Sequence, residues 1–157
     1  MDATKYGDKF KDHLIEEYKL YVQMADNVSA RRSQANQFYI SVLSILLAAV
    51  ALGPRVVSTR LPLGLQKAAY PALTLLGVAL SVFWYSTIRS YRQLNSGKFK
   101  IVHEMESLLP FECYRKEWDI LGKGADHWLY LPITHVETWV PALLLVLFLV
   151  VLGFSIF

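Results

Sequence analysis

The chain has 157 residues, one domain's worth, of which 54% are apolar, and its mean hydropathy of +0.32 is above that of a soluble domain of this length. Its 16 basic and 13 acidic residues leave a net charge of +3 without a basic block, which argues against nucleic acid as a partner. One cysteine, Cys113, excludes an intrachain disulfide framework and most cysteine-based metal sites. The start MDATKYGDKFKDH has no basic region followed by an apolar one, so no cleavable signal peptide is expected.

Residues 1–37 read as an N-terminal cytoplasmic amphipathic helix. From Asp8 to Arg32 the chain lacks Gly and Pro, and Leu14, Tyr18, Tyr21, Ala25 and Val28 recur at 4-3-4-3 spacing. Such a stripe packs either on the chain's own second cytoplasmic segment or between subunits of a ring, which makes these residues candidate oligomer contacts. No breaker separates this helix from the first apolar segment, so the two can form one rod. Through the junction a second register appears: Gln34, Gln37, Ser41, Ser44, Ala48 and Ala51, all small or polar. Phe38, Val42, Leu46 and Val50 point elsewhere. In lipid, a face of small and hydroxyl side chains marks close helix packing or a wet lumen.

Three charge-free segments suit a hydrocarbon core about 30 Å thick. The first spans residues 38–54 and closes on Pro54; an external loop follows over 55–69. The second spans 70–88, with Pro71 placed in a first helical turn and Gly77 and Ser81 one turn apart. The third spans 138–157, and its run of Leu, Val and Phe suits a lipid-facing periphery. The fold class expected is all-α: a polytopic membrane protein with three transmembrane helices, the long N-terminal helix, and a small helical segment between spans two and three. Arg55, Arg60 and Lys67 are the basic residues of the external loop. The others flank it on both sides, placing the N-terminus and residues 89–137 in the cytoplasm and the C-terminus outside. Tyr39, Tyr70, Trp84, Tyr85 and Trp139 are positioned as interfacial aromatics.

The cytoplasmic segment 89–137 contains two fragments with a chemical look. SGK at Ser96–Lys98 lacks the rest of a phosphate loop: Arg92 stands at its first Gly position, Phe99 follows the lysine, and a membrane helix precedes it. HEME at His103–Glu106 lacks the second histidine of a zinc-protease helix, whose place is taken by Ser107. Asn95–Gly97 is instead expected to break the helix leaving span two, with Gly97 in a left-handed turn. A short amphipathic helix carrying Ile101, Val102, Met105, Leu108 and Leu109 then runs to Pro110. CYRKEWDIL predicts a further short helix or turn stopped by Gly122–Gly124, and HWLYLP at 127–132 predicts an aromatic stretch at headgroup level. Cys113 is expected to be packed. Glu104 and Glu106 are expected to be solvated or paired with Lys98, Lys100 or Arg115, and His135 and Glu137 to anchor the start of span three.

No nucleophile–base pair, carboxylate dyad or metal cluster occurs at telling spacing, so no catalytic residue, metal or cofactor is expected. An enzymatic reading would require His103, Glu104 and Cys113 to be gathered by folding. A ligand- or partner-gated effector would instead use Arg31, Arg32, Lys98, Lys100, Arg115 and Lys116 on an anionic ligand, lipid headgroups or a cytoplasmic protein. The remaining reading is a non-enzymatic homo-oligomer, a membrane scaffold or pore-like assembly.

EEYKLYVQMADNVSARR (Glu16–Arg32), the stretch Asn95–Pro110, Glu117–Gly124 and Pro132–Pro141 together resemble the RipA family of small octameric bacterial cytoplasmic-membrane proteins. The resemblance covers most of the chain and none of its motifs is catalytic. It implies a homo-octamer in the inner membrane, with self and lipid as partners. The chain also looks like the two-helix membrane effectors of bacterial anti-phage nucleotide signalling, a likeness of architecture alone from which its third span departs.

Overall fold

The computed structural model describes residues 6–57, 62–126, 128–130 and 133–156. Among them are four α-helices and no strand: α1 (Phe10–Val57), α2 (Leu63–Glu106), α3 (Cys113–Ile120) and α4 (Ile133–Ile156). Three of these are long and apolar enough to cross a membrane, over Phe10–Gly53, Ala68–Glu106 and Val136–Phe154. Residues 58–61 of the external loop, and His127, Leu131 and Pro132 of the aromatic stretch, lie outside the described residues.

The N-terminal helix and span one are a single helix, as the absence of a breaker allows, and Pro54 does not end it. α2 begins at Leu63, so Pro71 lies inside the helix rather than in its first turn; membrane helices tolerate this where neighbours re-satisfy the freed carbonyl. The predicted break at Asn95–Gly97 does not form. α2 continues to Glu106, and Gly97 is not among the residues of positive φ. A glycine in a helix costs about 1 kcal/mol; beyond it the helix buries Val102 and brings Glu106 to three hydrogen-bond donors, which outweighs that cost. The helix CYRKEWDI ends where expected. Gly122, Lys123 and Gly124 have φ of 63°, 55° and 69°, three successive left-handed residues through which no α-helix continues.

The chain divides into two compact units. The first joins residues 1–31 to 91–132: the start of α1, the end of α2, and α3. The second joins residues 32–90 to 133–157 and holds the apolar helices. Its core is Leu43 and Leu46 of α1, Trp84 and Ile88 of α2 and Phe148 of α4, with Tyr39, Leu73 and Leu144 packed around them. A Cβ at Gly77 would stand 2.5 Å from the Phe148 ring, so only glycine seats that ring. Trp84 is no interfacial belt residue. It is 2% exposed, stacks on Tyr39 with centroids 5.9 Å apart, and donates Nε1–H to Asn36 Oδ1 at 2.8 Å.

Candidate functional site

In the first unit the polar centre is Glu106, fully buried at the last residue of α2. Its Oε1 accepts from the Tyr18 hydroxyl at 3.0 Å and from the Tyr114 N–H at 2.9 Å. Its Oε2 accepts from the Arg115 N–H at 3.1 Å. The two amides belong to the first turn of α3, whose own N-cap residue, Glu112, makes no side-chain cap. A helix of two turns does not persist alone, and none of the α3 side chains is buried. A remote carboxylate at its positive end therefore holds it in place. Burial, and then the Glu106 carboxylate that the phenol bonds, push Tyr18 above the usual phenol range. Tyr114 is raised too, first by burial and then by the charge of Asp26.

These contacts place the heptad stripe. Tyr18 meets Glu106, the Lys98 ammonium lies 4.7 Å from the centre of the Tyr21 ring, Leu14 and Ala25 are buried, and Val28 is half-buried. Two expectations are corrected at the same time. Glu106 is paired with backbone amides and a phenol rather than with a basic side chain, and Cys113 is exposed rather than packed. In sequence Glu106 stands among the charged residues of this segment; its place one turn beyond buried Val102 is the signal that could have found it.

The six candidate anion contacts are mostly engaged within the chain. Lys98 lies over Tyr21, Lys116 lies 4.3 Å from the Phe111 ring centre, and Arg115 pairs with Glu112 at 3.3 Å. Arg32 Nε stands 3.5 Å from Glu137 Oε2, an ion pair without hydrogen-bond geometry. It ties α1 to the start of α4. Arg31 and Lys100 are exposed. Among the described residues no group of three or more His, Cys, Asp and Glu is placed to hold a metal ion.

In the second unit, Gln34, Gln37, Ser41, Ser44, Ala48 and Ala51 are all exposed, while Leu43, Leu46 and Val50 of the same helix are buried. At roughly 100° per residue, Ser44 and Ser41 stand one and two steps around from Leu43. The small and polar face therefore turns away from the unit's own core. Ser41 donates its hydroxyl to the Gln37 carbonyl at 2.8 Å, so that hydroxyl needs no further partner in lipid. The pair on span two is used inside the unit: Gly77 receives Phe148, and buried Ser81 donates to the Gly77 carbonyl at 2.8 Å.

Residues 15–157 match the model of the octameric membrane protein family (8xMP). No curated protein and no solved structure matches the chain. The family match supports the coarser part of the resemblance drawn from the motifs and does not extend to the RipA name. With its apolar helices and a match over nearly its whole length, the chain belongs to the octameric membrane protein family.

Proposed function

We propose that eight copies of this chain assemble in a bacterial inner membrane and act without catalysis, as a scaffold or pore-like assembly. The N-terminus and the unit containing α3 lie in the cytoplasm, the C-terminus lies outside, and lipid covers the exposed apolar residues of α4. The observation that carries this reading is the stripe Gln34, Gln37, Ser41, Ser44, Ala48 and Ala51, exposed on the side of α1 opposite the chain's own core. In an octamer, eight such faces pack against one another or line a lumen. The family's octameric description supports the subunit number.

The test is Ser44→Leu in reconstituted vesicles, with assembly size followed in parallel. Reduced ion flux through an intact assembly is the expected result. Unchanged flux removes the lumen and leaves the scaffold. A ligand-gated effector draws less support, because Lys98, Arg115 and Lys116 already face partners within the chain.

A further inference from the structure

A cleft of about 610 Å³ opens in the first unit between the start of α1 and the end of α2. Phe10, Leu20, Ile101 and Leu108 are among its walls, and Glu17 and Glu104 also line it. Leu20 is 58% exposed and Leu108 57%. Charged residues recur along this part of α1: Lys11, Asp12, Glu16, Glu17, Lys19 and Asp26. Lipid is therefore not what covers these leucines, and water covers an apolar groove only at a cost.

On the α2 side the exposed apolar surface continues. Leu94 and Ile101 stand seven residues, two helical turns, apart, and Leu108 follows in the turn just after the helix; all three are exposed. Between the first two lies Gly97, and nothing stands within 4 Å of where its Cβ would be, which leaves room for close approach. The stripe through Leu14 and Ala25 is already covered within the chain, so a seam between copies needs other surface.

We infer that this cleft receives a neighbouring copy of the chain and forms the cytoplasmic seam of the assembly. The inference rests on the oligomeric reading above and specifies where that reading places a contact. In a closed ring the contact is heterologous, the cleft of each copy covered by a different surface of the next.

The test is thiol labelling by a hydrophilic maleimide in nanodiscs, using Leu20→Cys and Leu108→Cys in a Cys113→Ser background, with the mass of each complex measured alongside. Labelling at both positions at least tenfold slower in the assembly than in the detergent-dissociated chain is the expected result. Equal rates in an eight-copy assembly overturn the seam and leave the octamer standing. Protected thiols in a smaller assembly keep the seam and overturn the octamer. A single copy overturns both. In the second arm, Leu20→Glu with Leu108→Glu breaks the assembly into smaller species of unchanged helicity; an intact assembly with this pair also overturns the seam.

Discussion

The two units satisfy their polar groups in different ways. In the unit of apolar helices, hydroxyls bond within their own helix: Ser41 to Gln37, Thr74 to Tyr70, Ser81 to Gly77, Ser86 to Val82 and Thr87 to Phe83, all to backbone carbonyls four residues back. In the charged unit, Glu106 bonds a hydroxyl 88 residues away and two amides of another helix. Without water, a hydroxyl that bonds its own helix arrives in the bilayer already satisfied, and a helix face can then be changed without disturbing its partners. Where water competes, a buried carboxylate is tolerated only when several donors converge on it. A convergent carboxylate thus joins the helices of the first unit, while in the second the hydroxyls leave that task to packing, to the Trp84–Asn36 bond and to the Arg32–Glu137 pair.

The largest effect expected from this contrast is at Glu106. Glu106→Ala strands the Tyr18 hydroxyl and two first-turn amides of α3, at about 3 kcal/mol or more. Hydrogen exchange at Tyr114 and Arg115 should accelerate sharply while the apolar helices stay protected. Unchanged exchange there would mean that α3 is held by something other than this carboxylate.

Next is shape in the apolar unit. Gly77→Ala drives a methyl into the Phe148 ring, and overpacking of this kind costs about 1–3 kcal/mol. Adding Phe148→Val should recover part of the loss, so that the double variant unfolds later than the sum of the singles predicts. Strict additivity would show that the two residues do not meet.

A smaller effect distinguishes the units by pH. The folded-state pKa of Tyr18 is raised, so folding favours its protonated form. That contribution is complete below the ordinary phenol value of about 10 and is lost as pH climbs from there toward the raised value. Thermal stability of the charged unit in the wild type should therefore fall above about pH 10, and Tyr18→Phe should flatten that fall at a cost of about 1 kcal/mol at neutral pH. An identical alkaline fall in the variant would assign it to another group.

The smallest effect is expected at Ser81. It is as buried as Glu106, but its hydroxyl bonds only its own helix. Ser81→Ala should shift stability by no more than about 0.5 kcal/mol. A loss comparable to that at Glu106 would erase the distinction between the two units.

The same contrast explains what could be read from the sequence. Three spans, the small and polar register of α1 and the stop at Gly122–Gly124 were legible because composition, periodicity and turn chemistry are local properties. The continuous α2 was not, because the residues that hold the helix through Gly97 are buried by distant segments. Trp84 was misplaced as an interfacial residue because Asn36, which accepts its N–H, lies on another helix. Glu106 appeared to be a surface acid because its partners come from Tyr18 and from amides, which carry no side-chain signal. For the candidate site, the register was legible but its direction relative to the core was not.

The most direct test of the central claim is the native mass of the complex released from nanodiscs. A single closed species at eight times the chain's 17.9 kDa is the predicted result, and it would supply the neighbouring copies that the exposed α1 face requires. A monomer or dimer would contradict the account and leave the Gln34–Ala51 stripe facing lipid.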